Sequence, residues 1–99
     1  MQQKLQKIEI EIPQDKAEGV YSNFVGVIHS PSEFIFDFAK FLPGLKKAKV
    51  VARVIMSPQH AKSFLKTLEE NIKKYEENFG EIKLPGELKE KKIGFSPEE

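Results

Sequence analysis

Two histidines, His29 and His60, and no cysteine give this chain few of the ligands a zinc-type site needs. A zinc-type site needs three or four converging nitrogen or sulfur ligands. Neither a Cys–His nor a His–x–x–x–His spacing exists here, so no metal and no cofactor are expected. On paper, Ser30 or Ser32, His29 and Asp37 supply the residue types of a nucleophile, a base and an orienting acid. Adjacent residues on a strand point to opposite faces, however, which keeps His29 from serving Ser30. Glu33 and Asp37 are an even number apart and would share a strand face. A carboxylate pair can do acid–base work across a cleft, but nothing in the chain builds the pocket that would hold a substrate. As solvated hairpin residues they need no function. No glycine-rich loop precedes a helix, so a phosphate cradle is unsupported. Catalysis is the class the residues support least.

The other chemical feature is a basic cluster, Lys46, Lys47, Lys49 and Arg53. Read as a strand, Lys47, Lys49 and Arg53 share one face, and Tyr21 and Phe24 could supply stacking rings on a neighbouring strand. Single-strand nucleic-acid binders use that combination. Lysines also guard sheet edges against unwanted pairing, which is the commoner use. The net charge of +1 adds no overall pull towards nucleic acid or membrane.

The elements that must carry these residues are legible to different degrees. Ser57 is a good helix N-cap and Pro58 suits the first helical position. Ala61, Phe64, Leu65, Leu68, Ile72, Tyr75 and Phe79 follow at steps of three and four, one continuous apolar stripe. Lysines and glutamates fill the opposite side, and Gly80 can take the left-handed conformation that ends a helix. Upstream, Ile8, Ile10 and Ile12 alternate with Lys7, Glu9 and Glu11 until Pro13, a strand with one buried face. Tyr21 to His29 is rich in β-favouring residues, and Lys47 to Met56 reads as a further strand. The segment Ser30 to Leu42 fits two periods. Ser30-Pro31-Ser32-Glu33 has the letters of a helix capping box, whereas Phe34, Phe36 and Phe38 alternate as on a strand. A strand, a Pro-Ser turn and a second strand make the more economical arrangement, with Pro43-Gly44 as the next turn.

Together these predict an α+β fold: about four mostly antiparallel strands followed by one long amphipathic helix packed on the sheet. Residues 1–80 form the expected domain and residues 81–99 a charged tail that docks through scattered apolar residues. Hydrophobic content of 39% suits a core without disulfides, and 31% charged residues lean towards a heat-tolerant source. No apolar run is long enough to span a bilayer and the start is unlike a signal peptide, so a cytoplasmic protein is expected.

The runs Gly19-Val20-Tyr21-Ser22-Asn23, His29-Ser30-Pro31-Ser32-Glu33-Phe34, Asp37-Phe38 and Leu42-Pro43-Gly44 look like those of a known family. So do Lys49, Arg53-Val54-Ile55-Met56-Ser57-Pro58-Gln59-His60-Ala61-Lys62, Asn71-Ile72 and Lys74-Tyr75-Glu76. In that order they resemble the bacterial and archaeal domain-of-unknown-function family numbered 3467, over roughly Ile8 to Ile82. The resemblance implies a family and no function. The order of elements is also similar to the SecB export-chaperone fold, a likeness of topology that supplies no function either.

A count of faces gives the leading functional expectation. One helix covers one side of a sheet, yet the strands place large apolar residues on both. Val25, Val27, Ile35, Val51 and Ile55 are the candidates for a self-association or partner face. Leaving such a face wet would expose more apolar surface than monomers usually tolerate. Covering roughly 500 Å² per subunit is worth about 12 kcal/mol before association costs. A homodimer or higher homo-oligomer is therefore expected, acting as a non-catalytic protein-binding, chaperone-like or adaptor module. Nucleic-acid binding through Lys46, Lys47, Lys49 and Arg53 is the alternative.

Overall fold

In the computed structural model, which describes residues 7–85, the order of elements is β1 (Phe24–His29), β2 (Phe34–Lys40), β3 (Lys49–Met56) and α1 (Pro58–Phe79). A short 3-10 turn at Gln14–Lys16 precedes them. The chain divides into two compact units, Met1–Ser57 with the sheet and Pro58–Glu99 with the helix. The fold class is α+β, with three strands where the sequence pattern suggests four.

The missing strand is Ile8 to Ile12. Its alternation is real, but among the described residues no strand pairs with it, and Ile8, Ile10 and Ile12 are 81%, 85% and 65% exposed. Period-two patterning describes which way side chains point in an extended chain. Only backbone pairing makes that extended chain a strand.

The ambiguous segment Ser30 to Leu42 resolves as a strand. Ser30 N–H donates to the Glu33 carbonyl at 2.9 Å and closes a tight loop, so that His29 pairs with Phe34. The Ser-Pro-Ser-Glu letters therefore build a hairpin corner instead of a helix cap. Ser30 Oγ accepts the Ser32 N–H at 3.3 Å inside that corner. At the other end of β2, Leu45 N–H donates to the Leu42 carbonyl at 3.1 Å across Pro43-Gly44. Gly44 has φ +88°, the conformation a type II turn requires after a proline.

The sheet is fully antiparallel in the order β1-β2-β3. β2, in the middle, is the least exposed strand, and Phe36 and Ala39 are its buried residues at 9% and 3% exposure. His29, Phe34, Phe36 and Phe38 form a ladder of stacked rings, with successive centroids 5.3, 6.5 and 6.4 Å apart. These separations lie in the range where aromatic rings attract beyond simple burial.

Just before β1, Asn23 extends the ladder with its side chain. Its Nδ2 donates to the Phe41 carbonyl at 3.0 Å, and its Oδ1 accepts the Phe41 N–H at 2.9 Å. Ser22 Oγ donates to the Ala39 carbonyl at 2.9 Å beside it. A side-chain amide here reproduces a backbone pair where the chain is about to turn away.

In the helical unit, α1 runs from Pro58 to Phe79 as its start and stop letters predict. Gly80, at φ +97°, returns its N–H to the Glu76 carbonyl at 2.9 Å. The Glu76 carboxylate accepts the Ile82 N–H at 2.9 Å, which fixes the first step of the tail. Tyr75 and Phe79 pair their rings at 4.9 Å along the apolar stripe. Docking of the tail beyond residue 85 concerns positions outside the described residues.

Asn23→Ala is expected to lower the stability of the sheet by about 1 kcal/mol, the net worth of exposed side-chain hydrogen bonds. Asn23→Asp, which keeps the acceptor and loses the donor, should fall between the two in a urea midpoint series. Equal midpoints for all three chains would show that the clip contributes nothing.

Candidate functional site

The register decides what each sheet face presents. Val25 pairs with Phe38, Val27 with Phe36 and His29 with Phe34, and these phenylalanines meet Ala52, Val54 and Met56 on β3. All of them share one face, which carries no charge in its centre. On the opposite face, Phe24 meets Ala39, Ile28 meets Ile35, and Ile35 meets Ile55. Both faces are thus apolar, as the count of large residues requires, and Val25, Val27, Val54, Ile28 and Ile55 are each exposed.

The candidate partner-face residues do not form one patch, however. Val25 and Val27 lie on the phenylalanine face, whereas Ile35 and Ile55 lie on the other. Val51 belongs to neither set. The β2–β3 register slips between Phe38 and Ala39, so that Phe38 faces Ala52 while Ala39 faces Val50. Val51 is the extra residue of that bulge. An inserted residue reverses the in–out phase of everything beyond it.

The same bulge corrects the reading of the basic cluster. Arg53 pairs with Asp37, while Lys49, past the bulge, pairs with Lys40. Lys49 and Arg53 therefore point to opposite faces, where strict alternation would put them on one. Lys46 and Lys47 lie ahead of β3 in the connecting bend. Val50 likewise leaves the face of Val54 and Met56.

Arg53 has a partner of its own. Its Nε donates to Asp37 Oδ1 at 2.6 Å and its Nη2 to Oδ2 at 2.9 Å. This two-pronged geometry is the strongest form of a side-chain ion pair. The side chains are 58% exposed for Arg53 and 23% for Asp37, so water still screens the pair. Hydrogen bonding from Arg53, with its positive charge, holds the Asp37 carboxyl below its ordinary value of 3.8 against an opposing desolvation effect. Asp37 in turn raises the Arg53 guanidinium further above its ordinary range. A signal for this pair was present in the sequence: Asp37 and Arg53 each stand as a single charge amid apolar neighbours at the centre of their strands.

The remaining residues singled out for chemistry are kept apart. His29 stacks on Phe34 on the phenylalanine face, and Asp37 lies on the other face, so no Ser–His–Asp set assembles. Glu33 sits in the hairpin corner, while Asp37 is engaged by Arg53. His60 lies in the first turn of α1. Among the described residues no group of three or more His, Cys, Asp or Glu is placed to hold a metal ion. No helix among them is long and apolar enough to cross a membrane. A shallow groove lined by Val20, Ser22, Asn23, Phe24, Val25 and Phe38 opens at the start of β1. It holds no titratable side chain.

The family described as protein of unknown function (DUF3467) matches residues 1–84 of the chain. No curated protein and no solved structure matches it.

The Asp37–Arg53 pair gives stability a pH dependence of defined sign. Because the carboxyl is held below 3.8 in the folded chain, its contribution is complete above that value and is lost as pH falls through the lowered one. Asp37→Asn removes it at every pH. The urea midpoint of the native chain should therefore exceed that of the variant at neutral pH and converge towards it in strong acid. A gap that stays constant into strong acid would mean that the pair does not form in solution.

Proposed function

The chain belongs to the DUF3467 family, and from that premise and the sheet geometry we propose that it is a cytoplasmic, non-catalytic, homo-oligomeric protein-binding module. Family membership assigns no activity, so the reading rests on the molecule. One observation carries it. Among the described residues only Phe36, Ala39 and Ala61 are buried apolar residues, while Val25, Val27, Ile28, Val54 and Ile55 stay exposed on a three-stranded sheet. Apolar surface on both faces of so small a sheet favours contact with other protein. The surface has the apolar character of an adaptor or chaperone-like contact.

The alternative, nucleic-acid binding through Lys46, Lys47, Lys49 and Arg53, has less geometric support. The bulge separates Lys49 from Arg53, and the Arg53 guanidinium already holds a carboxylate. A phosphate would meet only its remaining N–H groups, on a guanidinium whose charge is already paired.

Size-exclusion chromatography with light scattering on the full chain at micromolar concentration tests the proposal. A dimer or larger species is expected. Val27→Lys and Ile55→Lys place a charge at exposed positions on the two faces, and the one that shifts the chain to monomer identifies the contact face. A monomeric native chain would overturn the self-association half of the reading.

A further inference from the structure

Resting on that oligomeric reading, we infer that Ile8–Ile12 of one copy pairs antiparallel with the outer edge of β3 in a second copy, Ile10 beside Val54 and Glu11 beside Arg53, with the exchange returned.

Three observations point to it. The first is an unmatched donor: Ile8, Ile10 and Ile12 alternate with Glu9 and Glu11 in a run that forms no helix or strand, has no strand partner among the described residues and is 65–85% exposed at its isoleucines. The second is an unmatched acceptor. β3 ends the sheet, and its outer edge is paired with nothing among the described residues. An open edge is a template for strand addition. From Ala52 to Met56 its ladder is regular, and the bulge interrupts it just beyond, at Val51. That regular run is as long as Ile8–Ile12, and Pro13, which has no N–H for a ladder, would fall beside the bulge.

The third is complementarity. With Ile8 beside Met56, Ile10 beside Val54 and Ile12 beside Ala52, the isoleucines extend the phenylalanine face. They continue the rows His29–Phe34–Met56, Val27–Phe36–Val54 and Val25–Phe38–Ala52. In the same register Glu11 falls on the opposite face beside Arg53. Two of the five guanidinium N–H groups hold Asp37 there. The others are available for a second carboxylate, giving a row of Asp37, Arg53 and Glu11 across three strands. The other open edge, β1, has no lysine or arginine along Phe24–His29, so it offers Glu9 and Glu11 no comparable partner.

Ile8–Ile12 does not pair with the β3 edge of its own chain among the described residues, and a second copy offers the same edge. Pairing within one chain would take the link from Ile12 to Phe24 across all three strands, about 14 Å at the usual strand spacing. That link is already shortened by the turn at Gln14–Lys16, where Lys16 and Ala17 return their N–H groups to Pro13 and Gln14. Between copies no crossing is needed. Each copy has one donor and one acceptor, so the exchange closes as a two-fold dimer.

The chain has no cysteine, which makes disulfide trapping clean. Ile10→Cys and Val54→Cys chains, prepared separately, are mixed and oxidised, and linked peptides are identified by mass spectrometry. Directly paired residues lie within disulfide reach. A reducible dimer joining position 10 of one chain to position 54 of the other is expected. The doubly substituted chain is oxidised in parallel, and a link confined within its single chains would overturn the exchange in favour of pairing at home. Light scattering on the mixture before oxidation separates the two readings. A dimer without the 10–54 link overturns strand exchange and leaves the oligomeric reading standing, whereas a monomer overturns both.

Discussion

β2 is the strand on which the sheet depends, because among the described strands it alone is hydrogen-bonded along both edges. A three-stranded antiparallel sheet has one interior strand, and whatever sets its register sets the facing of every side chain in the sheet. Here the register is held in several ways at once. The Ser30–Glu33 corner ties β2 to β1, the type II turn at Pro43-Gly44 starts the chain back towards β3, and the Asp37–Arg53 pair locks β2 to β3 at mid-length. The stacked rings of His29, Phe34, Phe36 and Phe38 then fill one face. A slip of β2 by one residue would put Phe34, Phe36 and Phe38 on the other side and bring Asp37 onto the face of Val25, Val27 and Val54.

The single irregularity has consequences beyond its size. The slip opposite Phe38 and Ala39 gives β3 one residue more than β2 over the paired length. Towards Met56 the strand keeps phase with the phenylalanines; towards Lys49 it is reversed. The bulge thereby separates the stretch Ala52–Met56, whose one charge is paired with Asp37, from the lysine-rich approach to the strand. Bulges and lysines are both means of limiting pairing at a sheet edge. Here they act on one end of β3 and leave Ala52 to Met56 regular.

How far the site was legible depended on the range of the interaction. Asp37 and Arg53 could be recognised as mid-strand charges flanked by apolar residues, but not as partners, since that needs the cross-strand register. Val25, Val27, Ile35, Val51 and Ile55 were recognisable as surplus apolar residues. Their division between faces was not, because the alternation of each strand was read separately and no sequence letter marks the bulge at Val51. Asn23 stood out only as part of a family motif. Its function as a clip on Phe41 becomes visible when residues 18 positions apart are adjacent.

The sequence by itself determined the local elements whose signals are complete within a few residues. Ser57-Pro58 and Gly80 bound α1 because capping and left-handed closure are local backbone requirements. Pro43-Gly44 dictates its turn for the same reason. Tertiary structure decided what short-range patterns leave open. It chose the strand for Phe34–Lys40 because two neighbouring strands satisfy its backbone, where an isolated short helix would be marginal. It left Ile8–Ile12 unpaired although the alternation there is as regular as any in the chain. Alternation sets the direction of side chains, but a strand exists only when another strand takes up its N–H and C=O groups.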